Sequence, residues 1–242
     1  MNDRIRNEFI EVPMRPGTMF YYVPRTGILR AVSESADVFH GVVLDVGCGF
    51  MPYREIVESN PKVTKYVGMD LEGSELYGRV EPDLIWNGTT IPMPDGSVDC
   101  IMATEFLEHH SDPAQVLAEF YRVLAPGGSL FATVPFIWNL HEIPHDEYRY
   151  TPFSLSRIIG DAGFSAVTVR GLGGWNASMA QMIGLWITFA GMPPLVRTIL
   201  RITLFPVFAA LVRTDRRPES FDDKQNSMFT GLSVTAEKQP VI

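Results

Sequence analysis

Val42-Val43-Leu44-Asp45-Val46-Gly47-Cys48-Gly49 is the stretch from which the fold can be read. A short, nearly all-apolar run that ends in a glycine pair is the pattern of a strand buried on both faces and closed by a tight turn. Glycine at both turn positions lets the backbone reverse sharply and approach a ligand closely. Asp45 sets a carboxylate just before that turn, where it would repel a pyrophosphate and attract an ammonium group.

Working outward, strand-like runs recur at residues 65–70, 83–86, 98–103, 129–134 and 166–170. Helical spacing lies between them. Val116, Leu117, Phe120, Val123 and Leu124 fall at three- and four-residue steps within 112–124. Asp112-Pro113 reads as that helix's start and Pro126-Gly127-Gly128 as its stop. Residues 155–162 form another helix, ended by Gly163. Strands alternating with helices predict a doubly wound α/β architecture on a mostly parallel sheet with right-handed crossovers. A seventh strand at 228–236 returns late and is expected to run antiparallel. The expected organisation is an N-terminal helical cap (1–40), a cofactor-binding domain (41–170), an apolar helical insertion (171–227), the final strand and a tail (237–242).

At 242 residues and 46% hydrophobic content the chain can bury a full core. Its net charge of −8 argues against a nucleic-acid partner, which would need basic groups to neutralise phosphates. The two cysteines, Cys48 and Cys100, follow no paired or zinc-binding pattern, and residues 1–16 contain no apolar signal core, so a cytoplasmic location is expected. Residues 180–192 and 195–212 are strongly apolar and separated by Pro193-Pro194. The first is too short to cross a bilayer, and the second is interrupted by Arg197, Arg201 and Pro206, so neither is expected to span. Two readings stand for 180–212: a buried helical pair forming a lid or homodimer interface, and a peripheral membrane contact. In the second, Arg197, Arg201 and Arg213 meet anionic head groups and the location is the membrane surface.

The glycine pair alone would suit a dinucleotide enzyme, but the third glycine of that fingerprint falls at Pro52. Asp70 ends the second strand about 20 residues after the turn, where an acidic side chain can accept from ribose hydroxyls. Three more segments follow in order: Ile91-Pro92-Met93-Pro94-Asp95-Gly96-Ser97-Val98-Asp99, Glu105-Phe106-Leu107-Glu108-His109 and Arg122-Val123-Leu124-Ala125-Pro126-Gly127-Gly128. With the glycine turn and Asp70, this series resembles the class I S-adenosylmethionine-dependent methyltransferases over roughly residues 40–170. It is most similar to the small-molecule members of ubiquinone and sugar modification. The resemblance implies a Rossmann-like sheet and S-adenosylmethionine as cofactor. By position, Asp45, Gly47, Cys48 and Gly49 would line its methionine portion. Asp70, with Leu71, would hold the ribose, Asn87 and Gly88 would face the adenine, and Thr104 and Glu105 would close the pocket beneath the sulfonium. The family more often has Asp where Asn87 stands, and many members have a small residue and a glycine in place of Phe50-Met51.

His141-Glu142-Ile143-Pro144-His145 satisfies the zinc-protease string HExxH, but that motif needs both histidines on one helical face, and Pro144 breaks a helix interior. The stretch His141 to Tyr150 leaves the fifth strand where ligands sit in such sheets, and it is similar to a segment of methyltransferases associated with surface polysaccharides. It is expected to form the acceptor site, with His141 or His145 as general base for a hydroxyl and Asp146, Arg149 and Tyr150 binding the acceptor, Arg149 through an anionic group. The competing reading is a polar loop in which Arg149 bridges to Asp146. No metal is assigned, a cation shared by His141, His145 and Asp146 being the alternative. The acceptor is expected to be a small molecule, a sugar or a lipid-linked compound, methylated at oxygen. The competing functions are a non-catalytic cofactor-binding homologue or partner subunit, and a nucleotide-dependent oxidoreductase.

Overall fold

The computed structural model describes residues 3–71, 80–221 and 227–240. Seven strands form one sheet in the order β3-β2-β1-β4-β5-β7-β6. They are β1 (Gly41–Val46), β2 (Val63–Leu71), β3 (Leu84–Trp86), β4 (Val98–Thr104), β5 (Leu124–Pro135), β6 (Ser165–Leu172) and β7 (Gly231–Glu237). β1 pairs in parallel with β2 and β4, and β7 is antiparallel to both β5 and β6. The sheet is therefore the doubly wound, mostly parallel one expected from the sequence, with its late antiparallel strand. Strand order reverses between β1 and β4, and the carboxyl ends of these two strands flank the crevice where such sheets bind ligands.

Helices cover both faces. On one side α4 (Pro113–Val123) and α5 (Pro152–Asp161) pack Val116, Leu117, Phe120, Leu155 and Ile159 onto the strands. Asp112 caps α4 by accepting from the Gln115 amide at 3.1 Å. α5 begins three residues before the expected 155. Thr151 and Ser154 cap it reciprocally and Pro152 pre-sets its first turn, a signature that apolar spacing alone passes over. Pro126-Gly127-Gly128 lies in the first residues of β5 rather than ending α4, which already stops at Val123.

On the other side α2 (Met19–Glu34) applies Ile28, Ala31 and Val32 to the sheet, beside Phe39, Tyr53 and the short helix α3 (Arg54–Glu58). A three-residue turn of helix, α1 (Asp3–Ile5), precedes it. The opposite edge of α2 meets α6 (Trp175–Phe189) and α7 (Pro194–Arg213) around Met19, Val23, Ala180, Ile187 and Phe208. Gly184 permits this crossing, because a Cβ there would stand 2.5 Å from the Met19 carbonyl oxygen.

α7 corrects the expectation for 195–212. The helix runs unbroken through Pro206 and is long and apolar enough to cross a membrane, yet only 11% of its most apolar window is buried. Nor are α6 and α7 a buried pair within the chain. Trp175, Met179, Met182, Trp186 and Phe189 of α6 are each at least half exposed, as are Leu195, Ile199 and Ile202 of α7.

Candidate active site

The turn after β1 is built by necessity from glycine. Gly47 and Gly49 have φ of +69° and +49°, and a Cβ on Gly47 would strike the Phe106 ring at 2.6 Å. The side of Gly49 where a Cβ would stand is open, with no atom of the described residues within 4 Å. The Gly49 amide donates to Asp70 Oδ2 at 2.8 Å, and Asp70 Oδ1 accepts from the Leu71 amide at 2.7 Å. The carboxylate at the end of β2 is thus fixed against the turn, with lone pairs to spare. Leu71 lies against Gly88, so the two positions expected at the ribose and the adenine are adjacent.

Asp45 is not the open ammonium partner expected from the sequence. It lies beneath the turn, 1% exposed, and accepts from the Tyr66 hydroxyl. Burial pushes its carboxyl up to about 7, against the pull of the Tyr66 hydrogen bond. Its Oδ1 is buried without a partner among the described residues. Asn87 likewise serves its own loop: Oδ1 accepts from the amides of Thr89 and Thr90, each at 3.0 Å, and from the Thr89 hydroxyl. The Gly88 carbonyl accepts from His110 Nε2 at 2.8 Å.

A cavity of about 490 Å³ opens beside the turn, within the roughly 300–1,000 Å³ typical of small-molecule sites. Gly47, Cys48, Gly49 and Phe50 form one wall and Thr104 and Glu105 the floor. Phe9, Phe20, Tyr21 and Arg25 from the N-terminal helices face them, and Trp138, His141 and Glu142 close the end after β5 with His109. Phe50 packs edge-on to Phe9, while Met51 turns inward to fill the space beside Gly68, so the two bulky residues divide between cavity and core. Cys48 is buried, which pushes its thiol up and away from reactivity. Glu105, at φ +50°, accepts from the Thr133 hydroxyl at 2.9 Å, and burial raises it to about 6.

The 141–150 stretch contains no helix, so the HExxH string does not make a zincin site. His141 lines the cavity, whereas His145 is exposed and absent from its lining. His141 Nδ1 stands 3.1 Å from Asp146 Oδ2. Asp146 is held in turn by Arg149 through contacts of 2.6 and 2.8 Å, which keep its carboxyl well below the usual range. Arg149 and Asp146 therefore form the bridge of the competing reading and are not among the cavity-lining residues, and Tyr150 is buried with its hydroxyl on the Leu107 carbonyl. Among the described residues, the ligand-capable atoms of His141, His145 and Asp146 are not all gathered within 4.8 Å of one another. Burial, followed by the neighbouring His109, holds His141 below its ordinary value despite Asp146.

Arg25 and His109 are among the cavity residues that the sequence reading did not assign to the site. Arg25, stacked 3.9 Å over the Phe9 ring, is the arginine the cavity does contain. Its only mark in sequence is a lone charge in the apolar run Phe20-Tyr21-Tyr22-Val23-Pro24. His109 sits in a motif already quoted but lies 32 residues before His141, and only the fold brings their rings to 4.6 Å.

Residues 44–132 match the family described as "Methyltransferase domain". The chain is 30% identical over 175 residues to the ubiquinone/menaquinone biosynthesis C-methyltransferase UbiE of Methylobacterium nodulans, covering 60% of this chain and 64% of that one. It is 32% identical over 123 residues to malonyl-[acyl-carrier protein] O-methyltransferase 1 of Coxiella burnetii, covering 49% and 44%. Among solved structures, phosphoethanolamine N-methyltransferase 2 of Haemonchus contortus, in complex with S-adenosyl-L-methionine, superposes with a TM-score of 0.53 at 11% identity, covering all of this chain and 60% of that one. The chain spans between 28% and 64% of the length of the first curated relatives it matches.

Proposed function

We propose, with the methyltransferase-domain match at residues 44–132 as the premise, that this chain transfers a methyl group from S-adenosylmethionine to an oxygen of an acceptor presented at a lipid surface. The residues present fit the cofactor. Asp70 offers acceptor lone pairs beside the ribose position, the open side of Gly49 leaves room for a ligand, and the unpartnered Asp45 Oδ1 lies under the turn. Bound there, S-adenosylmethionine supplies a sulfonium methyl already activated for in-line displacement. The chain's own contribution is to align the acceptor, exclude water and deal with the acceptor's proton. The polar end of the cavity suits a hydroxyl: His141 is oriented by Asp146, beside His109. Asp45, Gly47, Cys48, Gly49, Asp70, Leu71, Asn87, Gly88, Thr104 and Glu105 remain the residues assigned to the cofactor side.

The observation that carries the acceptor class is the continuity of the cavity wall with the exposed helical face. Phe20 lines the cavity and packs edge-on, at 5.8 Å, against Phe189 of α6, which is half exposed. An acceptor with an apolar tail can therefore place its head in the cavity while its tail stays on the α6–α7 face. Residues 175–213 hold three arginines and no acidic residue in a chain of net charge −8, which favours an anionic lipid surface as the partner of that face. In this reading α7 rests along the lipid surface, and the packing of Leu200, Leu204, Phe205 and Phe208 onto the domain supports it.

Incubation of the chain with methyl-tritiated S-adenosylmethionine and fractionated cell extract tests this. Label is expected in the organic-phase lipids. Label confined to water-soluble products would overturn the acceptor class. A stable dimer with no affinity for anionic vesicles would assign the helical face to a second copy instead.

A further inference from the structure

We infer that Glu108, His109 and His141 form a binding site for a first-row divalent metal ion at the polar end of the cavity. Their ligand-capable atoms all lie within 4.8 Å of one another. Glu108 is fully buried, and among the described residues neither of its carboxylate oxygens has a hydrogen-bond partner. Taking a carboxylate out of water unpaired costs several kcal/mol, so such a group either holds a proton or takes a counter-charge, and a metal ion would supply the second. The guanidinium of Arg149 is committed to Asp146. What the carboxylate does face is an imidazole nitrogen, His109 Nε2 at 3.6 Å.

Both imidazoles are oriented as metal ligands are. His109 Nδ1 lies 3.1 Å from the His145 carbonyl, which can only accept, so Nδ1 bears the proton and Nε2 keeps a lone pair on the Glu108 side. His141 Nδ1 is bonded to the arginine-clamped carboxylate of Asp146, which leaves its Nε2 lone pair free as well. A ring nitrogen anchored to a carbonyl or carboxylate, with the other nitrogen presented, is the arrangement that fixes histidine ligands around metals. Glu142 Oε2, 3.8 Å from His109 Nε2, offers a fourth donor from the exposed side. Ligands bonded at about 2.1 Å stand roughly 3–3.5 Å apart, so the observed separations need only a modest closure. Two imidazoles with one or two carboxylates select zinc, manganese, iron, cobalt or nickel over magnesium and calcium, which prefer all-oxygen sets.

His109, His141 and Glu142 line the cavity while Glu108 closes the site from beneath, so the remaining coordination positions open toward the acceptor. A hydroxyl bound there would release its proton to solvent more readily. That role rests on the methyl-transfer reading, whereas the metal site rests on its own geometry.

The full chain, stripped with a chelator, is titrated with cobalt(II) alone, followed by visible absorption and calorimetry. S-adenosylmethionine is titrated separately. One cobalt per chain is expected. His109→Ala and the isosteric Glu108→Gln should each weaken binding by at least about tenfold, and His145→Ala should leave it intact. Absence of stoichiometric cobalt binding while S-adenosylmethionine still binds would overturn the metal site and spare the methyltransferase reading. Cobalt binding without S-adenosylmethionine binding would do the reverse. Loss of binding in His145→Ala but not in His109→Ala would assign the metal to the HExxH string and overturn the proposed ligand set.

Discussion

β4 and α7 are both dominated by apolar residues, and the fold treats them in opposite ways. In β4, Val98, Cys100, Ile101, Met102 and Ala103 are fully buried between neighbouring strands and two helical layers. In α7, Leu195 is 71% and Ile202 63% exposed, and the packed side runs through Leu200, Leu204, Phe205, Phe208, Ala209 and Leu211. Hydrophobic sequence demands a cover without naming it. For β4 the cover is the chain itself. For the outer face of α7 it lies outside the described residues, and the proposal makes it lipid.

Charged substitutions should separate the two regions most sharply. Ile101→Asp places a carboxylate in the fully buried strand and should cost more than about 4 kcal/mol, enough to abolish the cooperative melt. Ile202→Asp should leave stability within about 0.5 kcal/mol, because the site is already in water, while lowering affinity for anionic vesicles by at least about tenfold. A loss of folding in Ile202→Asp comparable to that in Ile101→Asp would erase the distinction. Smaller still, Arg201→Gln should remove about 1 kcal/mol of vesicle binding at low salt and little at high salt, readable by co-sedimentation across ionic strength. Unchanged salt dependence would argue that the face meets protein.

A pH-dependent effect comes from inside the sheet. The Asp45 carboxyl is raised from 3.8 to about 7 by burial, so between these values the folded chain holds a proton that the unfolded chain has released. Stability from this group is therefore complete below pH 4 and falls by up to roughly 1.4 kcal/mol per pH unit as the pH rises toward 7. Chemical denaturation across that range should show the slope, and Asp45→Asn should reduce it. A variant slope equal to the wild type would place the titration elsewhere.

Much of the sheet was legible because strand periodicity and glycine punctuation are local. Val42 to Gly49 alone announced a buried strand and a ligand-facing turn. The start of α5 was not found by apolar spacing, since its signal is the Thr151–Ser154 cap. The site was legible where backbone dictates it, at Gly47, Gly49 and Asp70, and obscure where side chains choose among partners. Asn87 had the amides of Thr89 and Thr90 two and three residues away, and Arg149 had Asp146 three residues away. His109 and Arg25 reach the cavity from separate elements, and no spacing rule links them to His141. Exposure of α6 and α7 was invisible for a different reason: residue types record burial, not by what.

Calorimetric titration with S-adenosylmethionine and, separately, with NAD tests the central claim most directly. The account predicts one S-adenosylmethionine site per chain and no NAD binding. It also predicts at least about a tenfold loss of affinity in Asp70→Ala, the cost of removing a charged hydrogen-bond acceptor. Binding of NAD alone, or S-adenosylmethionine affinity indifferent to Asp70→Ala, would contradict it.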